Sequence, residues 1–284
     1  MAWLPFWRNE RRFSNREGQR EYDFTLLRSR DRPGVSALVR VRNEAPKIGY
    51  CLRSILPFFD EIVLVDNGSD DGTADLVRDI IARDDPDRKI RLYSYPHRLA
   101  RFGPEHDATP EASVHSAVYY SNWALSHCSC RYVCKWDGDM VLNREVREAF
   151  AEFLRRIQSG IRRRWTLAGQ TVYRGVDGDY YLAVGEVNRE VEVFPFGHRC
   201  SFRKRRHWEY LTHPITVLKG DFTPVAFYEL KFVDADEFDH WSTREWPSER
   251  KRREWDNYHL VKAGRVDAQR FQRLPPGFLD REVR

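Results

Sequence analysis

Apolar residues along this chain follow two rhythms that alternate. The runs at 35–41 (VSALVRV), 61–66 (EIVLVD), 90–95 (IRLYSY) and 131–136 (RYVCKW) are short and nearly unbroken, the mark of strands buried on both faces. Between them, Ile48, Cys51, Leu52, Ile55 and Leu56 recur at helical spacing up to Pro57, with Asn43 placed to cap and Pro46 in the first turn. Residues 67–72 (NGSDDG) form a turn, 73–81 an amphipathic helix, and a further helix is expected from about 111 to 126. Strands alternating with helices predict right-handed crossovers and an α/β, doubly wound, mainly parallel sheet.

The rhythm changes after a helix expected at 144–157. Aromatic, β-rich segments at 165–172, 180–184, 191–194 and 225–232 predict strands that extend the sheet or form a smaller one beside it, followed by a C-terminal helical tail. The chain therefore divides into an extension at 1–34, ending in the turn Asp31-Arg32-Pro33-Gly34, a first half at 35–142 and a second at 143–284.

Composition narrows the class. With 284 residues, 41% hydrophobic, the chain is not disordered, and no stretch approaches the roughly 20 apolar residues of a membrane helix. The five cysteines are irregularly spaced, which predicts buried thiols without a structural zinc, in a protein that stays in the cytoplasm. Net charge is only +5, yet basic residues cluster at 162–164, 203–206 and 250–253. Such runs are solvated faces or surfaces for diphosphates, acidic glycans or anionic head groups; no signature of nucleic-acid binding accompanies them. Trp3, Leu4, Phe6 and Trp7, followed by Arg8, Arg11 and Arg12, either pack back on the domain or touch the inner membrane surface peripherally.

In open α/β sheets ligands bind at the carboxyl ends of the strands. The polar groups there are Arg42-Asn43-Glu44, Asp66-Asn67-Gly68-Ser69 and Asp137-Gly138-Asp139, expected to meet at one edge of the sheet. Two carboxylates around a glycine can hold a hard divalent cation, Mn²⁺ or Mg²⁺, and Arg98 and Arg101 in the loop after the third strand can grip phosphate oxygens.

The segments VSALVRVRNE and EIVLVDNGSDDGT, with Asp137-Gly138-Asp139 after the fourth strand, resemble the family 2 glycosyltransferases, enzymes of the GT-A fold. The resemblance implies a nucleotide-diphosphate sugar as donor, a divalent cation, inversion at the anomeric carbon, and a glycan or lipid-linked acceptor, with bacterial surface polysaccharide as the destination. It makes 35–142 the nucleotide-sugar-binding half and 143–284 the acceptor side. Val41, Arg42, Asn43 and Glu44 look like the first nucleotide-contacting loop, and Asp66 and Asn67, with Gly68, like the pair facing base and ribose. Where many relatives have a second Asp, this chain has Asn67, whose amide can accept the N3 proton of uracil or donate instead. The resemblance also implies a further metal ligand, Glu229 or His240 beside Asp137 and Asp139. The acceptor base is expected at Glu209, whose aromatic neighbours would raise its proton affinity, with Glu186, Asp179 and His213 as alternatives.

Two other readings compete. A sugar-nucleotide pyrophosphorylase should open with a glycine-rich phosphate loop, which 42–45 lacks. A non-catalytic glycan-binding protein would use Trp208, Trp241, Trp246 and Trp255 as stacking platforms.

Overall fold

The computed structural model describes residues 10–159 and 162–283. Trp3, Leu4, Phe6, Trp7 and Arg8 lie outside them, and with them most of the expected membrane-facing segment. The elements run β1 (Arg11–Phe13), β2 (Phe24–Leu26), β3 (Arg32–Val41), α1 (Ala45–Ile55), β4 (Glu61–Asp66), α2 (Thr73–Asp84), β5 (Ile90–Ser94), α3 (Pro104–Ala108), α4 (Ala117–Ser126), β6 (Cys130–Asp137), β7 (Met140–Leu142) and α5 (Arg147–Ile157). They continue with β8 (Arg163–Arg174), β9 (Tyr180–Ala183), β10 (Asn188–Pro195), β11 (Ser201–Arg205), β12 (Trp208–Thr212), β13 (Leu218–Phe232), α6 (Glu249–Lys262), β14 (Phe271–Arg273) and α7 (Phe278–Glu282).

β5, β4, β3 and β6 form a parallel ladder with β3 at its centre, because each run is apolar on both faces and needs helices on both sides. Val35, Ala37, Val39 and Val41 of β3 face Ile48, Leu52, Phe150 and Phe153 of α1 and α5; Leu38 faces Tyr119 and Trp123 of α4 on the other side. This is the doubly wound α/β arrangement. The sheet then continues through β10, antiparallel to β6, to β8, β9 and β14. β13 runs parallel to β8 and antiparallel to β7, so the mainly parallel ladder belongs to the first half and antiparallel pairing dominates the second.

Three expectations shift. Residues 111–116 are not helical: Glu17 of the N-terminal segment holds Ser113 Oγ and the Val114 amide, and Ser116 caps α4, which starts at Ala117. Asn43 does not cap α1. It adopts a left-handed φ of 57°, and the cap position falls to Glu44. Trp241 and Trp246 are buried, packed on each other at 4.9 Å with Trp208, Trp255 and Phe238 around them, so these aromatics build a core and not an open platform. All five cysteines are buried free thiols. No described helix is long and apolar enough to cross a membrane.

Candidate active site

The register Val41↔Asp66 and Arg40↔Asp137 brings the ends of β3, β4 and β6 level. Their loops are stitched together: Asn43 Oδ1 accepts from the Asp70 amide, Thr73 Oγ1 from the Glu44 amide, and Asp71 from the Ala45 amide, replacing a local helix cap by a cross-loop one. Gly138 is needed for the approach of the third loop, since a Cβ there would meet Val41 Cγ1 at 2.5 Å. Asp66 is tied to Ser69 through its hydroxyl and amide. Asn67 donates from Nδ2 to the carbonyls of Tyr95 and His97, at 2.8 and 2.7 Å, which spends both amide hydrogens and leaves Oδ1 as an acceptor with no donor among the described residues. Gly68, at φ 65°, is exposed at the rim.

The two aspartates of the triplet part company. Asp137 keeps 31% of its side chain exposed, with Lys135 Nζ at 2.8 Å and Arg40 at 3.6 Å. Burial works to raise its pKa, but these cations prevail and hold it down at about 2. Asp139 turns inward, 2.7 Å from Lys231 Nζ, which also lies 3.0 Å from Glu229 and 3.9 Å from Glu254. The Leu230 amide donates to the Asp139 carbonyl, locking β13 behind the triplet. Alongside, Lys47 bridges Glu44 and Glu237, both at 2.9 Å. Five carboxylates thus surround two ammonium groups. Burial, ahead of its mixed neighbours, pushes Glu44 to about 7; burial and then Glu229 do the same to Glu254; burial raises Asp139. Glu229 is the exception: Lys231, Arg250 and the 2.6 Å hydrogen bond from Asn188 outweigh its burial and hold it at about 2.

Other expected site residues scatter. Glu209 is 7% exposed and paired with Arg40 at 3.0 Å. Its burial would raise its pKa, but Arg40 outweighs that and the pKa falls, opposite to the direction expected from its aromatic neighbours. Asp179 pairs with Arg273 at the β9–β14 edge, far along the sheet from β6, and His213 Nε2 lies 2.7 Å from Glu192. Glu186 accepts from Asn257 Nδ2 at 2.8 Å and lines a 220 Å³ cavity. Arg98 and Arg101 are exposed and both directed at Glu105, at 3.8 and 2.8 Å. Arg42 is solvent-exposed at the loop. His240 is exposed as a residue; loss of hydration around its ring, then Lys231, Lys251 and Lys47, lower its pKa and keep the ring neutral. Arg40, Lys135, Lys231 and Glu254 were not anticipated. A signal existed for three of them, each being a charge that interrupts an apolar strand: VSALVRV, YVCKWD and YELKFV.

A divalent cation can be tested against these donors. Among the described residues no three acid, His or Cys side chains gather into a cage, and Asp139 and Glu229 are already bridged by Lys231. Asp137 is the open carboxylate, and neutral His240 offers a free lone pair. One open carboxylate fits a cation that keeps diphosphate oxygens and water among its ligands, which needs only one or two carboxylates.

Residues 36–101 match the family described as glycosyl transferase family 2. That match takes in most of β3, all of α1, β4, α2 and β5, and so the three strands of the ladder before β6. Similar solved structures include S. aureus TarS 1-349 in complex with UDP (13% identity, TM-score 0.42, 69% of this chain and 60% of that one). They also include the mannosyltransferase PcManGT from Pyrobaculum calidifontis in complex with GDP-Man and Mn²⁺ (18%, 0.44, 89% and 69%). A third is glucosyl-3-phosphoglycerate synthase from Mycobacterium tuberculosis with Mg²⁺ and uridine-diphosphate (22%, 0.30, 51% and 44%). The chain spans about three fifths of the TarS fragment. No curated protein sequence matches.

Proposed function

We propose that the protein transfers a sugar from a nucleotide-diphosphate donor to an acceptor hydroxyl, with inversion, and that a divalent cation accompanies the donor. The observation that carries this reading is the open Asp137 carboxylate, fixed in its ionised form by Lys135 and Arg40, at the end of β6 beside the β3 strand of the residues that match family 2. Asp137, with His240, would hold the cation against the donor's phosphates, where it supplies positive charge for the departing diphosphate. The chain's own residues do the rest. The loops at 41–45 and 66–73 cradle the nucleoside, and Asn67 Oδ1 accepts the ring N–H of a uracil or thymine. Arg98 and Arg101 reach the phosphates by exchanging Glu105 for them. Glu186 is the base candidate with an uncommitted oxygen facing a cavity, and it takes the acceptor proton. The acceptor is a glycan, free or lipid-linked.

The test is a donor-hydrolysis screen across UDP-, TDP-, GDP- and CMP-sugars with and without Mn²⁺ or Mg²⁺, alongside calorimetry of the nucleotides. UDP- or TDP-sugars should be turned over in a cation-dependent way; no nucleotide affinity in any combination removes the reading.

A further inference from the structure

A cavity lies between the β9–β10 turn and α6, and because β10 runs antiparallel to β6 with Val193 opposite Cys134, its Asn188 wall is at the Asp137 end of β6. Its 220 Å³ is walled by Thr171, Glu186, Val187, Asn188 and Glu254 together with the guanidinium groups of Arg250 and Arg253. A water occupies roughly 30 Å³ in the liquid, so the space holds about seven waters or one six-membered sugar ring of about a dozen heavy atoms. The wall chemistry suits such a ring. Planar carboxylate, amide and guanidinium groups alternate with a threonine hydroxyl, giving acceptors and donors for neighbouring hydroxyls in nearly balanced charge. Val187, on the wall, is 45% exposed, an apolar surface of the kind that covers the C–H face of a sugar.

The wall is also pre-set. Asn257, fully buried on α6, donates to Glu186 Oε1 and so fixes that carboxylate; its own Oδ1 has no partner among the described residues. Asn188 is held by Glu229, and Glu254 lies 3.9 Å from Lys231, so the cavity shares a wall with the ion lattice behind Asp139. None of the residues at 41–45 and 66–73 lines this cavity.

We propose that this cavity is the acceptor subsite and that it takes the terminal pyranose ring of the acceptor, an uncharged sugar recognised by Glu186, Asn188 and Thr171 with Val187 against its apolar face. The assignment rests on the transferase reading for its role, but sugar binding can be read without it. Ligand-observed NMR on the full chain, with methyl pyranosides of glucose, galactose, mannose and N-acetylglucosamine at tens of millimolar, should show at least one that binds. Val187→Trp or, with a smaller intrusion, Val187→Phe should weaken that probe about tenfold or more, whereas Val187→Ser leaves the space open and keeps most of the signal. Urea melts report whether each variant is folded, and nucleotide affinity is measured in parallel. Binding of no pyranoside, or equal binding by the folded Trp and Phe variants, overturns the proposal. A chain that binds the pyranoside in this way but no nucleotide supports the subsite and removes the transferase reading alone.

Discussion

Two clusters of charge lie a few residues apart at the same strand ends and are built on opposite principles. Around Asp137, two carboxylates meet two cations: Asp137 and Glu209 share Arg40, and Lys135 completes the set. Charge is balanced, both acids are held below their ordinary range, and Asp137 stays open to solvent. Around Asp139, five carboxylates crowd two lysines in a nearly dry interior, and three of those acids are pushed upward. The first cluster presents a fixed negative charge to solvent. The second spends its charges on holding β13, α1 and α6 together, since Lys231 belongs to β13, Lys47 to α1 and Glu254 to α6.

The sharpest way to break this contrast is to remove Lys231. Lys231→Met leaves Asp139 and Glu229 buried without their shared cation, and breaking a buried ion pair costs about 3–5 kcal/mol. Urea denaturation at neutral pH should show a loss of that size, and a loss below about 1 kcal/mol would mean the lattice is not structural. Asp139→Ala should likewise destabilise, contrary to what its position in the triplet alone suggests, because it strands one end of the same bridge. Asp137→Asn should do the reverse. Its side chain is partly exposed, Arg40 keeps Glu209 and the amide oxygen still accepts from Lys135, so stability should move little, while cation-dependent nucleotide affinity and transfer fall by about a hundredfold, roughly 2.7 kcal/mol. Calorimetry of nucleotide with and without Mn²⁺ checks it independently of turnover.

The first half was readable because its chemistry lies in sequence order: fully buried strands announce themselves as apolar runs, and polar residues at their ends must converge. The stitching of Asn43 to Asp70, the inward turn of Asp139 and the Arg40–Glu209 pair were not readable, since each depends on which face of a strand meets which loop 27 to 169 residues away. The cross-loop cap at Ala45 shows why Asn43 misled: a good local cap lost to partners brought by β4. In the second half Glu254 sits on a helix with little apolar periodicity, and nothing local marks it as buried.

The raised acids give the lattice a pH signature that the Asp137 cluster lacks. Glu44 and Glu254 titrate near 7 in the folded chain against about 4.5 when unfolded, so the folded state binds more protons between those values. Their stabilising contribution is complete below about 4.5 and is lost as pH rises through 7. Asp137 and Glu229, at about 2, contribute above the ordinary carboxylate range and lose it only in strong acid. Stability should therefore decline between pH 5 and 8, and Glu254→Gln should flatten that slope. Urea melts at several pH values would expose a flat or rising wild-type profile, which contradicts the assignment.

The smallest effect sharpens the donor side. Asn67 resembles an aspartate only in what it shows the ligand: both amide hydrogens are spent on the Tyr95 and His97 carbonyls, and Oδ1 alone is free. From sequence, Asn67→Asp should preserve or improve use of a uridine donor. The geometry reverses this, because a carboxylate oxygen would then face two carbonyl oxygens it cannot bond, in a residue only 7% exposed. The swap should cost about 1–3 kcal/mol of stability and weaken UDP binding with it. In the wild-type chain, an acceptor at Oδ1 matches the N3–H of uracil and opposes the unprotonated N3 of cytosine, so UDP should bind about tenfold more tightly than CDP, about 1.4 kcal/mol. Equal affinity for UDP and CDP, by calorimetry under saturating cation, would show that Oδ1 does not read the base. Tighter binding of UDP by the Asp variant would show that the amide is not committed to the two carbonyls in solution.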